Sequence, residues 1–258
     1  MPMTPLLEVS HVCHAYHTLS GETQALLDLT FSVDEGEFFV IVGPSGCGKS
    51  TLLSLLFGLI PAEEGTIRLS QSPLAKHQTK IGYMLQKDHL FEWRTVYRNV
   101  ILGLEIQKKE TPENLAHVEQ MLKDYGLSAF KDARPSELSG GMRQRAALIR
   151  TLALDPRLLL LDEPFSALDY QTRLNVCDDV YQIIKKEKKT AILVTHDLSE
   201  AISMADRILI LSKRPARIRR ILDIRFADGS LTPMQRRQAP EFKDYFNAIW
   251  KELNSDES

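Results

Sequence analysis

From residue 43 the chain reads Gly43-Pro44-Ser45-Gly46-Cys47-Gly48-Lys49-Ser50, with Thr51 next. With glycine at about 7% of residues, the spacing G-x-x-x-x-G-K-[ST] arises by chance on the order of once per hundred chains this long. Its setting removes most of that chance. The apolar run Phe38-Phe39-Val40-Ile41-Val42 enters it as a buried strand, and Lys49-Ser50-Thr51-Leu52-Leu53 leaves it as a helix. Strand, glycine loop and helix in this order gather backbone N–H groups and the positive end of a helix dipole around an anion. In that arrangement Lys49 reaches the β- and γ-phosphates of a nucleotide, and the Ser50 hydroxyl takes Mg²⁺. A glycine-rich turn that binds nothing is the plain alternative, and the flanking strand and helix argue against it.

The surrounding pattern predicts the sheet this loop needs. Leu158-Leu159-Leu160-Leu161, Ala191-Ile192-Leu193-Val194 and Ile208-Leu209-Ile210-Leu211 are continuous apolar runs like Phe38 to Val42. Strands covered on both faces of a parallel sheet read this way. Helical patterns separate them, which gives α/β architecture. One is predicted from Gln171 to Lys186 with Arg173, Cys177, Val180 and Ile184 on one face, and another opens at Asp197 with Glu200 as capping-box partner. Leu27 to Val33 alternates apolar and polar, as a half-buried strand does, and Leu7 to Val12 and Thr66 to Leu69 read as its antiparallel neighbours. From about residue 90 to 155 the pattern is helical without strands, an inserted lobe carrying Leu115, Val118, Met121, Leu122 and Tyr125. Phe242, Tyr245, Phe246, Ile249, Trp250 and Leu253 predict an amphipathic helix near the end.

The run Leu158 to Leu161 leads directly into Asp162-Glu163. Ligands of open α/β sheets sit at the C-terminal ends of the strands, so both acids are delivered to that crevice. Asp162 suits Mg²⁺, through water, and Glu163 can polarise an attacking water as general base. An exposed acidic pair in a turn before Pro164 is the bland reading, and the neighbouring phosphate loop tells against it. So far the residues specify a nucleotide-hydrolysing P-loop protein.

Leu138-Ser139-Gly140-Gly141-Met142-Arg143-Gln144-Arg145 narrows this. A Ser hydroxyl and two glycine N–H groups opening a helix near Met142 make a second anion site. Lying between the phosphate loop and Leu160-Leu161-Asp162-Glu163-Pro164, the segment resembles the signature of ATP-binding-cassette (ABC) ATPases. The resemblance runs over almost the full length. It implies a RecA-like P-loop core with an N-terminal antiparallel β subdomain and an inserted α-helical subdomain. One domain then covers residues 1–258, with 1–89 and 156–230 in the catalytic lobe, 90–155 in the helical lobe, and 231–258 as the C-terminal helix. Tyr16 is similar to the family's adenine-stacking aromatic. Gln86 is similar to the glutamine that contacts Mg²⁺ and links the lobes. Ser166-Ala167-Leu168-Asp169 resembles the segment that crosses to the opposite subunit, and His196 the histidine that holds the γ-phosphate.

Several stretches resemble the nitrate/sulfonate/taurine importer ATPases in particular: the phosphate loop, the signature with Met142, Asp162-Glu163-Pro164-Phe165, Thr195-His196-Asp197 with Glu200-Ala201, and Arg214-Pro215. Ser70 to Lys80 and Phe91-Glu92-Trp93-Arg94 depart from that pattern. The family implies ATP and Mg²⁺, a head-to-tail dimer, a membrane permease, an extracellular or periplasmic solute-binding protein, and a place on the cytoplasmic face of the cell membrane. Leu90, Phe91, Trp93 and Val96 are candidates for the socket that receives the permease, or equally for the lobe's own core.

Composition agrees. A net charge of −2 gives no electrostatic footprint for nucleic acid. Cys13, Cys47 and Cys177 are too few and too scattered for a disulfide framework, which favours a reducing compartment. Met1-Pro2-Met3-Thr4-Pro5 lacks a signal-peptide pattern, and Leu52 to Ile60 is about half the roughly 20 residues a membrane span needs. Alkylation of Cys47 is expected to block the ATPase, with ATP protecting, unless its thiol turns into the core. Lys213, Arg214, Arg217, Arg219 and Arg220 form a basic cluster that reads as a solvated face. A non-transport ABC ATPase, the first rival, would carry a coiled-coil insertion or a second cassette. A small-molecule kinase would not need the signature or His196, and a regulatory subunit with little turnover would not need both Glu163 and His196.

Overall fold

A computed structural model describes residues 5–18 and 21–254. In chain order the elements are β1 (Leu7–Thr18), β2 (Gly21–Val33), β3 (Phe38–Val42), α1 (Lys49–Phe57), β4 (Glu64–Leu69), β5 (Ser72–Pro73) and β6 (Ile81–Met84). Four helices follow: α2 (Val96–Val100), α3 (Leu102–Gln107), α4 (Pro112–Asp124) and α5 (Gly140–Leu152). The chain then alternates through β7 (Leu158–Asp162), α6 (Tyr170–Lys186), β8 (Thr190–Val194), α7 (Leu198–Met204) and β9 (Arg207–Leu211). It continues with β10 (Ile218–Asp223), α8 (Pro233–Arg236) and α9 (Pro240–Asn254).

The strands form two sheets. A six-stranded sheet has the order β10-β9-β3-β8-β7-β6 and is parallel except at β10, which pairs antiparallel with β9. A four-stranded sheet, β2-β1-β4-β5, is antiparallel throughout. This is an α/β fold of the P-loop NTPase type with an antiparallel side sheet. Every residue of β3 is buried, and its period-2 alternation splits the core. Phe38, Val40 and Val42 join Leu159, Leu161 and Leu193 in a cluster with residues of α2, α4, α5, α6, α7 and α9. Phe39 and Ile41 join Leu158, Leu160, Ile192 and Val194 in a second cluster with α1 and the four-stranded sheet.

Local chemistry sets the helix starts. Thr95, Thr111 and Asp169 cap α2, α4 and α6, accepting from the N–H groups of Arg98, Asn114 and Thr172. Asp197 caps α7 by accepting from Ser199 and Glu200 N–H. The reciprocal half of the expected capping box is missing, because the Glu200 carboxylate instead accepts from the Thr195 hydroxyl at 2.6 Å. On α6 the buried stripe is Val176, Cys177, Val180, Ile183 and Ile184, while Arg173 at its start donates to the Leu168 carbonyl. The apolar face of α9 packs on its own core, with Ile249 fully buried and Trp250 left 58% exposed. Ser70 to Lys80, which departs from the importer pattern, forms β5 and two short 3₁₀ turns that bury Leu74. No helix among the described residues is long and apolar enough to cross a membrane.

Candidate active site

The loop between β3 and α1 is held where the two sheets meet. Gly48 caps α1 at φ 120°, with no side chain accepting from the first turn, so those N–H groups are available to an anion. A Cβ at Gly48 would stand 2.8 Å from Leu26 Cδ2 and 3.2 Å from the Ala25 carbonyl, so glycine is required sterically as well as conformationally. Lys49 is 7% exposed and donates to the Gly43 and Pro44 carbonyls at 2.8 and 3.0 Å, which aims its ammonium along the loop. The Cys47 thiol is buried against the start of the loop and pushed up by that burial, although the Lys49 charge pulls it down. Cys47 therefore contributes backbone to the loop and keeps its sulfur in the core, the slowly reacting alternative.

A cleft of about 650 Å³ opens from this loop, lined by Ser45, Gly46, Gly48, Lys49, Ser50 and Thr51. Gln86, Asp162, Glu163, His196 and Arg214 complete its wall. Asp162, at the end of β7, accepts from Ser50 Oγ at 3.4 Å and from the Tyr83 hydroxyl at 3.3 Å. Burial raises its carboxyl above the usual range, with the Glu163 charge adding to the rise and the two hydroxyls opposing it. Glu163 has φ 45°, the left-handed region that residues bearing a side chain rarely occupy. Its N–H donates to the Val194 carbonyl at 2.9 Å, and its Oε2 lies 3.0 Å from His196 Nδ1. Gln86 donates to Ser166 Oγ at 3.2 Å, and Ser166 Oγ donates to the Glu163 carbonyl at 3.0 Å. A chain of hydrogen bonds thus joins Gln86 to the backbone of Glu163.

Tyr16 stands beside this cleft, its hydroxyl 3.0 Å from Thr51 Oγ1 and its ring edge-on to His14. Being 42% exposed, it offers an open aromatic surface. Ser139, Gly140, Gly141 and Asp169 are not among the residues lining the cleft. Ser139 caps α5, accepting from Met142 N–H at 3.3 Å, so the helix starts two residues before Met142. A Cβ on Gly140 would lie 2.9 Å from Leu168 Cδ2, and one on Gly141 2.8 Å from Val176 Cγ2. The two glycines therefore let the start of α5 press against α6 and against Ser166-Ala167-Leu168-Asp169. Those two segments, far apart in sequence, form one surface.

Residues 26–166 match the family described as "ABC transporter". The chain belongs to the ABC transporter family of ATP-binding proteins. Over 249 residues, 96% of each chain, it is 47% identical to the uncharacterized ABC transporter ATP-binding protein YtlC of Bacillus subtilis (strain 168). It is 38% identical over 222 residues to the taurine import ATP-binding protein TauB of Escherichia coli (strain K12), covering 86% of both chains. The aliphatic sulfonates import ATP-binding protein SsuB of Bacillus thuringiensis subsp. konkukian (strain 97-27) is 37% identical over 217 residues, 84% of this chain and 85% of its own. A solved dimer of the ATP-binding cassette MJ0796, in a post-hydrolysis state bound to ADP and Pi, superposes with a TM-score of 0.72. That match has 30% sequence identity and covers 85% of this chain and 99% of the other.

This ABC ATPase binds ATP, and its site contains two side chains that sequence reasoning does not place there. Tyr83 lies on β6, a four-residue strand, and Arg214 reads in the sequence as part of a solvated cluster. Among the described residues no group of three or more His, Cys, Asp or Glu could hold a metal ion alone. Asp162, Ser50 and Gln86 would offer hard oxygen ligands, and phosphate and water oxygens would fill the remaining positions. That mixed shell is how Mg²⁺ is held beside a nucleotide, so the residues fit the ion.

Proposed function

We propose that this chain is the ATP-hydrolysing subunit of an importer for a small anionic or zwitterionic solute of the sulfonate or taurine class. It would act at the cytoplasmic face of a membrane, on a separate permease fed by an extracellular or periplasmic solute-binding protein. One observation carries the mechanism. The cleft unites Lys49, Ser50, Gln86, Asp162, Glu163 and His196, while the Ser139 cap stands outside it on a separate surface. A phosphate-binding helix start that does not line its own cleft is suited to closing over the nucleotide of a second copy. Two-fold pairing achieves this symmetrically, with each phosphate loop facing the partner subunit's signature.

Within such a sandwich we assign the roles that the family resemblance implies and the cleft can accommodate. Tyr16 stacks on the base, and the loop from Gly43 to Thr51 wraps the phosphates. Ser50, Asp162 and Gln86 would hold Mg²⁺, which when bound would supply positive charge against the developing negative charge of the phosphates. Glu163 accepts a proton from water as that water attacks the γ-phosphorus and the bond to ADP breaks. His196, 3.0 Å from Glu163, orients the attack and holds the γ-phosphate. Asp169 lies on the surface shared with the signature and meets the second subunit. Gln86 senses the cleft through Ser166, and it begins the segment that continues to the helical lobe. There the socket candidates divide: Leu90 and Val96 are buried, while Trp93 is 70% exposed and stacks on Phe91 at 4.7 Å. Exposed Trp93, backed by half-buried Phe91, is the half that suits a permease helix.

The test uses Glu163→Gln, which keeps the shape and removes the base. With ATP and Mg²⁺ it should run as a dimer on size exclusion and lose turnover by at least about 10²-fold. In the native chain, activity should rise steeply with protein concentration and fall with Ser139→Ala. An ATPase rate per molecule that is independent of concentration and of Ser139 refutes the paired site.

A further inference from the structure

The basic cluster Lys213, Arg214, Arg217, Arg219 and Arg220 does not behave as one surface. Arg219 and Arg220 both reach Glu252 on α9, at its carbonyl and its carboxylate respectively. Arg214 goes elsewhere. It sits on the turn between β9 and β10 and lines the nucleotide cleft together with Gly46, Gly48, Lys49, Ser50 and Thr51. Its charge is close enough to act on the Cys47 thiol within the phosphate loop.

The turn is built to hold it there. Ala216 is fully buried and exchanges backbone hydrogen bonds with β2: its N–H donates to the Ala25 carbonyl and its carbonyl accepts from Leu27 N–H, both at 2.9 Å. These are the residues next to Leu26, which abuts Gly48, so the turn and the phosphate loop share one support. The Ser212 hydroxyl closes the turn, accepting from Arg217 N–H at 2.9 Å and donating to the Lys213 carbonyl at 2.8 Å. Fixed backbone and an exposed guanidinium are a combination that packing does not require. Among the described residues Arg214 has no hydrogen-bond or ion-pair partner.

Charge points the same way. The acids and bases lining the cleft, histidine aside, are Asp162 and Glu163 against Lys49 and Arg214. With Lys49 alone the wall would carry net negative charge toward a polyanion. Arg214 balances it, and its planar fork of donors matches phosphate oxygens.

We propose that Arg214 is a nucleotide-contacting residue, donating to phosphate oxygens of bound ATP and ADP from the β9–β10 turn beside the phosphate loop. The contact forms in the single subunit and persists in the product complex. It is therefore made equally in ground and transition states, so it sets affinity rather than the rate of the chemical step. This rests on the nucleotide cleft proposed above.

Titration of the full chain with Mg²⁺ and a fluorescent ADP tests it, using R214A, the length-conserving R214Q, R214K and, as a reference, K49A. R214A and R214Q should each weaken binding by about tenfold, the loss of one charge-assisted hydrogen bond. Their affinity should also fall less steeply with added salt than that of the native chain. R214K should recover part of the affinity and most of the salt dependence. In steady state, KM for ATP should rise with kcat held. Native affinity and native salt dependence in R214A and R214Q, with binding lost in K49A, overturn the role of Arg214 and leave the cleft standing. Native affinity in K49A as well overturns the cleft itself.

Discussion

The signature helix is fastened to the segment after Gln86 by Arg143, and removing that residue is a quantitative test of how the helical insert is held. Arg143 donates to both oxygens of Asp88, at 2.9 and 3.1 Å, and to Glu92 at 2.8 Å. The side chains of Arg143 and Asp88 are 25% and 18% exposed, so their pair is partly shielded, whereas Glu92 at 53% is largely screened. Two charge-assisted bonds to Asp88, discounted for the remaining water, amount to about 2 kcal/mol, and the Glu92 contact to under about 0.5 kcal/mol. Arg143→Ala should then lower Tm by about 4–8 °C. Burial pushes the Asp88 carboxyl up, but bonds from Arg143 and the Leu90 N–H, with the charges of Arg143 and Arg150, outweigh it and hold the carboxyl below its usual range. A depressed carboxylate stabilises the fold above its unfolded pKa and loses that contribution as pH falls through the folded one. The Tm gap between native chain and variant should be constant near neutrality and shrink below about pH 4. Denaturant unfolding of Arg143→Ala, Asp88→Ala and the double variant gives the coupling directly. A coupling below about 0.5 kcal/mol, the scatter of independent sites, refutes the pairing as an energetic link.

Other outcomes follow from the same geometry. Trp93→Ala, at a largely exposed position, should leave ATP binding intact and unfolding within about 0.5 kcal/mol of native, yet depress solute uptake in cells; native uptake would remove Trp93 from the permease contact. All three cysteines are buried, so a thiol reagent should modify none of them rapidly in the native state and all of them in denaturant; fast, ATP-protected labelling of Cys47 would place its sulfur in the cleft. Gly48→Ala forces a left-handed alanine against Leu26 and should abolish nucleotide binding, which a titration with fluorescent ATP would read.

How far the sequence reaches depends on how local each signal is. The phosphate loop, the four buried runs and the acids after Leu161 are legible because strand, loop and helix patterns lie within a few residues of one another. The antiparallel strands are visible but short: β1 and β2 extend to Thr18 and Gly21, beyond the alternating runs, where pairing with each other sustains them. β6 and β10 escape assignment because an edge strand of four residues and one rich in arginine lack a long buried run. Arg214 reads as solvent-facing because what places it, the backbone pairing of Ala216 with β2, joins residues nearly two hundred positions apart. Glu200 differs: its partner Thr195 is only five residues back, but which of the two local partners it takes depends on where β8 ends.

Glu163 sets function against fold. Its φ of 45° costs a side-chain-bearing residue of order 1 kcal/mol that glycine would not incur and asparagine would incur less. With Glu163 as the base proposed above, drift at this codon toward either residue would firm up the protein while silencing it. A descendant of this gene that had lost turnover should therefore melt higher than its parent, and only selection on activity keeps the carboxylate in place.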